Sequence, residues 1–319
     1  MISARRVTWG ALLSVGAIAV ASTTVGGSHS AFAGDTSEGL NVITAMPDFR
    51  GPTVSPVAIG GSTGYATGYI RNAGNYYIYA NVTDVGAPPS GTATVVANAA
   101  NITAGQVAVP MVAGSYSASG VSYNYRSAVL TAGTVPSAPI AFTVTATDVA
   151  ANATIANGSV NGDNTAPAAT NISASGGTAG RPEVGDLLTL TTSEALDTYS
   201  LLANWTGAAT TVRVSIVQQG GGDRLQVWDA AGTTQLPFGT INLDRTDWTT
   251  SSLNFNGSTM TQSGGAITIT LGAPVVGTVT TVAGTGTMTW NPSATATDRA
   301  GNPTTTGNFN EPAPVDIDF

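Results

Sequence analysis

Thr145-Ala146-Thr147-Asp148-Val149-Ala150-Ala151-Asn152 recurs 150 residues later as Thr295-Ala296-Thr297-Asp298-Arg299-Ala300-Gly301-Asn302, with six of the eight positions identical. A shared ending predicts two units of one plan. In each copy a Thr-Ala-Thr strand end runs into a turn. There a short Asp side chain accepts backbone N–H bonds, and Asn or Gly takes left-handed geometry. Asp148, Asn152, Asp298 and Asn302 are therefore expected to be turn makers at equivalent places. Between the copies, the stretch from Asp148 to Pro167 reads as the hinge of the molecule, ending in the short polar linker 163–167.

Working outward, the segments on both sides alternate with the period of a half-buried strand. In Asn75 to Thr83, Tyr76, Ile78, Ala80 and Val82 share one face, while Tyr77, Tyr79, Asn81 and Thr83 share the other. Further strands are predicted over 92–99, 106–112, 121–130 and 139–147, the last placing Ile140, Phe142, Val144 and Ala146 together. The second half repeats the style in Leu188 and Leu190, Val212 to Ile216, Leu225 and Val227, Ile267 to Leu271, and Met288 and Trp290. No long window carries a 3.6-residue apolar stripe; only Glu194 to Trp205 suggests a short helical turn. Turn clusters every 8 to 15 residues favour antiparallel sandwiches over an α/β fold.

The first 33 residues have the pattern of a secretory signal: Arg5-Arg6, an apolar run from Val7 to Val25, and Ala31-Phe32-Ala33 as a cleavage site. Export is therefore expected, with the mature chain starting at Gly34 and residues 34–54 forming a lead segment. That mature chain carries eight Arg, no Lys and 18 acidic residues, a net charge of 8 − 18 = −10. A net acidic chain without a basic cluster repels phosphate backbones, which argues against nucleic acid as a partner. No membrane span is expected after the signal.

Cys is absent and the sole His, His29, lies in the signal. Without His, Cys or Lys, the mature chain has no Ser-His-Asp triad, thiol nucleophile, Schiff base or His-ligated zinc. A non-enzymatic protein is expected. Only carboxylates remain for acid–base work, with Asp244 and Asp247, or Glu194 and Asp197, the nearest pairs for a weak glycoside hydrolase. Turn-making is the simpler role for both pairs.

Calcium is the one cofactor the carboxylates suggest. Asp148, Asp163, Glu183 and Asp186 flank the linker, where a hard cation between units would need several oxygens. No Asp-x-Asp-x-Asp-Gly loop accompanies them. Tyr77, Tyr79, Tyr123 and Tyr125 are candidates for a sugar-stacking platform on a sheet face, and cross-strand aromatic pairing accounts for the same residues. Trp205 and Trp290 read as packing residues, and Trp228 and Trp248, beside Asp229 and Asp247, as partly exposed.

The linker Asp163-Asn164-Thr165-Ala166-Pro167 and the closing Asp298 to Asn302 carry a family likeness. So does Gly185-Asp186-Leu187-Leu188-Thr189-Leu190 with the following Ser193-Glu194-Ala195-Leu196-Asp197. Together they resemble bacterial immunoglobulin-like domains of secreted and cell-surface proteins, over about 260 residues. Ala151 departs from the pattern, since relatives usually carry Gly there. The resemblance implies an all-β protein of two tandem immunoglobulin-like antiparallel sandwiches, one over 34–162 and one over 168–319. It also implies a spacer, adhesion or binding module that meets protein or polysaccharide at a cell surface. A carbohydrate-binding module or carboxylate-dependent hydrolase is the alternative.

Overall fold

The computed structural model describes residues 48–61, 67–86, 88–314 and 317–319, together with the backbone of the strands Thr36–Glu38 and Asn41–Ile43. The expected signal, residues 1–33, lies outside them. Strands β1 (Thr36–Glu38) and β2 (Asn41–Ile43) form a small hairpin. The first large sheet is built from β3 (Thr53–Gly61), β4 (Tyr69–Ile70), β5 (Asn75–Thr83), β6 (Thr92–Asn98), β7 (Val109–Ala118), β8 (Val121–Ser127), β9 (Leu130–Thr131), β10 (Pro139–Asp148) and β11 (Ala153–Gly162). The second contains β12 (Ala169–Ser175), β13 (Leu187–Thr192), β14 (Thr210–Val217), β15 (Arg224–Trp228), β16 (Thr240–Asn242), β17 (Leu253–Ser263), β18 (Ala266–Thr270), β19 (Ala273–Val276), β20 (Thr289–Asn291) and β21 (Phe309–Asn310). A single turn of helix, α1 (Thr198–Leu201), starts at Asp197, whose side chain accepts from the Tyr199 N–H.

The first sheet runs β3-β5-β8-β7-β6-β10-β11-β4, and its two halves are joined at the β6–β7 pairing. Folding one half over the other buries Val54, Ile59, Tyr76, Ile78, Val82, Phe142 and Val144 between them. The second runs β12-β13-β18-β17-β14-β15-β16-β20-β21 around Leu188, Leu190, Val214, Phe255, Ile267, Trp248 and Trp290. The two cores share no residue. The chain is thus all-β, with two sheets in sandwich-like arrangements. Among the described residues no helix is long and apolar enough to cross a membrane.

The period-2 readings of residues 75–83 and 139–147 coincide with β5 and β10, and in β10 every second residue from Ile140 to Asp148 is buried. One expectation is corrected. The stretch 148–167 is not one hinge, because Ala153 to Gly162 is a ten-residue strand paired with β10 in unbroken register from Pro139↔Asn161 to Thr147↔Ala153. Its large apolar residues are few: Val160 is buried and Ile155 is 64% exposed. The ladder itself therefore holds the strand, and Gly158 leaves room for the Phe142 ring, which a Cβ there would overlap at 2.3 Å. Only 163–167 connects the two sheets. The lead segment is also shorter than expected, since Asp48 is 2% exposed and β3 begins at Thr53.

Candidate cation sites at two carboxylate clusters

At the end of β10 the chain must turn with unpaired N–H groups, and Asp148 supplies the acceptors. The Asn152 main-chain N–H donates to Asp148 Oδ1 at 2.8 Å, and Asn152 Nδ2 donates to Asp148 Oδ2 at 2.8 Å and to the Asp48 carbonyl at 3.2 Å. The second unit repeats the arrangement. Asn302 donates to Asp298 Oδ1 and Oδ2 at 2.8 Å each, and its Nδ2 reaches the Asp163 carbonyl at 3.0 Å. Residues 151 and 301 take the left-handed conformation, φ 68° in Ala151 and 87° in Gly301. The Asp carboxylate closes the turn, and the Asn amide ties the turn to the segment that enters the sandwich.

A third acid joins each pair. Asp84 follows β5 and Glu194 follows β13; β5 is paired to β3, and β13 to β12. Asp48 and Asp163 stand just ahead of β3 and β12. The topology therefore delivers equivalent carboxylates to the same end of each sandwich: Asp48, Asp84 and Asp148 in one cluster, Asp163, Glu194 and Asp298 in the other. In each, one carboxylate oxygen from every member lies within 4.8 Å of the others.

The two clusters relieve their mutual repulsion differently. Asp48 is held below the ordinary carboxylate range, chiefly by the Arg50 N–H, with the Ser90 N–H adding. Asp84 accepts from Gly86 and Gly91 N–H groups. In the second cluster, burial pushes Glu194 up to about 7, and the charges of Asp163 and Asp298 add to the shift. Burial also raises Asp298, and it raises the neighbouring Asp197 to about 6. Glu194 Oε1 and Asp197 Oδ2 are buried with no hydrogen-bond partner among the described residues. Converging carboxylates of this kind hold either shared protons or a hard cation that prefers oxygen ligands.

The second cluster also sits on the joint. Asp163 N–H donates to Ile70 O at 2.8 Å, Asn164 accepts from Asn72 N–H at 2.7 Å and donates to Val135 O, and Thr305 N–H donates to Pro167 O at 2.8 Å. The Arg299 guanidinium lies 5.8 Å from the Tyr69 ring centre across the two units. The linker is thus bonded to the sheet on either side of it.

The four carboxylates singled out for calcium are not brought together. Asp148 and Asp163 fall in separate clusters. Asp186 is a buried loop fastener that accepts from Gly177 and Glu183 N–H groups, and Glu183 pairs with Arg181 at 2.9 Å. The partners that sequence reasoning did not assign to a site with Asp148 and Asp163 are Asp48, Asp84, Glu194 and Asp298. Their available signal was positional, an acid just before the first strand of each unit and another just after its neighbour. Of the other acid pairs, Asp247 is ion-paired with Arg245, Asp244 accepts from Thr287 N–H, and Asp197 caps α1.

The tyrosines divide as well. Tyr77, Tyr79 and Tyr123 gather in one cluster, but Tyr79 and Tyr123 are buried, at 4% and 5% exposure, and Tyr125 packs against the core, so the four expected residues form no open platform. Tyr123 and Tyr125 should share a face by strand parity. They do not, and the ladder is irregular where they part, with Asn124 between them opposite both Gly114 and Ser115. There Asn81 and Asn124 replace ladder bonds with side-chain ones: Val82 N–H donates to Asn124 Oδ1, and Asn124 N–H to Asn81 Oδ1. Trp205 and Trp290 are core residues, and Trp228 is partly exposed. Trp248, expected to be partly exposed, is buried at 1% exposure, its ring edge-on to Phe319 and its Nε1 donating to Leu243 O.

No family model and no curated protein matches this chain. Among solved structures, it is similar to dimeric latent PorU from Porphyromonas gingivalis at 11% identity and a TM-score of 0.24, over 70% of this chain and 20% of that one. The chain thus spans about a fifth of that protein's length, and at this score the likeness carries no argument for fold or function.

Proposed function

We propose that this chain is an exported, non-enzymatic pair of immunoglobulin-like sandwiches that serves as a surface spacer or binding module, and that calcium bound at the two carboxylate clusters stiffens it. The observation that carries this reading is the recurrence of one carboxylate cluster at the same end of both sheets, the second built on the linker. A joint that gains a cation across Asp163, Glu194 and Asp298 loses both the repulsion among them and the freedom of the linker. The ligand atoms are hard oxygens with no nitrogen or sulfur donor nearby, which favours calcium over zinc. The flexible carboxylate set suits calcium better than magnesium, which demands near-octahedral geometry. Of the acid pairs, Asp247 is held in an ion pair, Asp244 accepts from the Thr287 N–H and Asp197 caps α1, while Glu194 belongs to the second carboxylate cluster.

Thermal melts of the mature protein in millimolar calcium and in chelator test the reading. At a calcium concentration about 100-fold above Kd, binding adds about 2.7 kcal/mol, which corresponds to a rise in Tm on the order of 10 °C for a unit of this size. Small-angle scattering should show a narrower spread of end-to-end distances with calcium. Equal melts and equal scattering in the two buffers would refute the cation, and a magnesium effect as large as that of calcium would refute the assignment to calcium.

A further inference from the structure

The outer face of the first sheet holds a second arrangement with no part in the cation clusters. Tyr77 and Tyr79 lie 6.0 Å apart, centre to centre and edge to face, and Tyr79 lies 5.2 Å from Tyr123. Arg126, the cross-strand partner of Tyr79, places its guanidinium 4.2 Å from the Tyr77 ring centre and 4.4 Å from that of one further ring, Tyr116. Tyr116 reaches this position because β7 bulges between Ala113 and Tyr116. Gly114 permits the fold-back, since a Cβ there would stand 2.7 Å from the Tyr116 hydroxyl.

Two features make this more than cross-strand packing. The ion pairs among the described residues are Arg181–Glu183 and Arg245–Asp247, so the charge of Arg126 is met by aromatic faces and by no carboxylate. Its Nε is also buried with no hydrogen-bond partner among the described residues. Cation–π contact on both sides fixes the guanidinium plane in advance, and a planar, pre-aligned guanidinium pairs well with a carboxylate. Tyr77 and Tyr116 beside it are only partly buried and offer the apolar surface on which sugar rings pack.

We propose that Arg126, Tyr77 and Tyr116 form a binding site for a carboxylate-bearing polysaccharide, the uronate carboxylate paired with Arg126 and the adjoining rings stacked on the tyrosines; Asp84 is the one acid between residues 49 and 147, so the net acidity that repels a phosphate backbone is not concentrated in this stretch. This rests on the binding-module reading above and gives it a ligand class. The test is affinity electrophoresis of the full mature protein through gels containing polygalacturonate or neutral amylose. All gels contain chelator, which removes any calcium bridge between acidic glycan and acidic clusters. Retardation by polygalacturonate alone is expected, reduced about tenfold in Arg126→Gln, the scale of one lost charge-assisted pairing. Arg126→Lys should fall between, keeping the charge but not the planar fork, and Tyr116→Ala should weaken retention several-fold.

Thermal melts of every variant accompany the gels. Should Arg126→Gln not fold, Arg126→Lys and Tyr116→Ala decide the matter. The proposal is overturned by a wild type that polygalacturonate does not retard, by equal retardation in amylose, or by folded variants that bind as the wild type does. A loss of Tm in Arg126→Gln with undiminished retention would make the cluster a packing device only. A protein that stiffens with calcium yet ignores polygalacturonate keeps the spacer and loses the glycan site.

Discussion

In the first unit the Asp–Asn turn closes a long ladder between β10 and β11, while in the second the same turn closes on one bridge, Thr297↔Pro303. The side-chain bonds inside the turn are nonetheless nearly superimposable, with 2.8 Å from Asn to each Asp oxygen in both. A turn that keeps its form after losing most of its strands is held by its own side chains. What differs is the surroundings. Val149, 67% exposed, stands where the second unit has Arg299 over Tyr69, and the acid after the neighbouring strand is Asp84 in one and Glu194 in the other. In the first cluster N–H donors hold Asp48 below the ordinary carboxylate range, whereas in the second burial, with the charges of Asp163 and Asp298 adding, pushes Glu194 up to about 7.

The sharpest way to break the comparison is to remove the turn acid. Asp298 accepts the N–H groups of Ala300 and Asn302 and the Asn302 amide, and it is 1% exposed. Asp298→Ala should cost about 3 kcal/mol, because buried donors lose their acceptor. Asp148→Ala, backed by the longer ladder, should cost about 2 kcal/mol on the same grounds. Denaturant titration of the full chain measures both; equal costs in the two units would mean that the ladder adds nothing.

Proton linkage should then separate the units by sign. Glu194 rises from 4.5 in the unfolded chain to about 7, so its contribution is complete below about 4.5 and is lost as pH climbs through 7. Asp197, raised from 3.8 to about 6, acts in the same sense. Asp48, lowered from 3.8, contributes above that value and loses its contribution as pH falls. In chelator, the protection factors of β13 amides, after correction for the base-catalysed rise of intrinsic exchange, should therefore fall between pH 5 and 7, while those of β5 should not follow. Glu194→Gln should flatten most of the β13 slope, and calcium should reverse it. Parallel slopes in the two strands would dissolve the distinction.

The smallest effect tests one of the two positions at which the turns differ in sequence, 151 and 301. Gly301→Ala places a side chain at φ 87° and should cost about 1 kcal/mol, whereas Ala151→Gly at φ 68° should stabilise by about 0.5 kcal/mol, strain relief outweighing added chain entropy. Paired thermal melts read the difference, and loss of stability in Ala151→Gly would contradict it.

Strands whose alternation buries large side chains, such as β5 and β10, were legible in the sequence, because burial on one face is what writes a period of two. β11 was not, since Ala153 to Gly162 earns its place by backbone pairing with β10, which leaves no apolar trace. The carboxylate clusters were half legible. The repeated turn exposed Asp148 and Asp298, but Asp48 and Asp84 reach Asp148 only through the order of strands β3, β5 and β10 in space. Tyr125 was misplaced because the ladder is irregular at Asn124, which composition does not show, and Trp248 because Asp247 beside it turns outward to Arg245 while the indole turns in.

The bond from each turn Asn to a carbonyl at its unit's entrance has a mechanical side. Asn152 grips Asp48 across 104 residues and Asn302 grips Asp163 across 139, so each unit is a loop of chain pinched shut at its mouth. A pull along the chain reaches these clasps before it reaches the ladders behind them. At the mouth of the second unit, Thr305 holding Pro167 makes the clasp double. Under tension the pair should yield in order, the singly clasped first unit ahead of the second, and so lengthen in two steps instead of snapping in one.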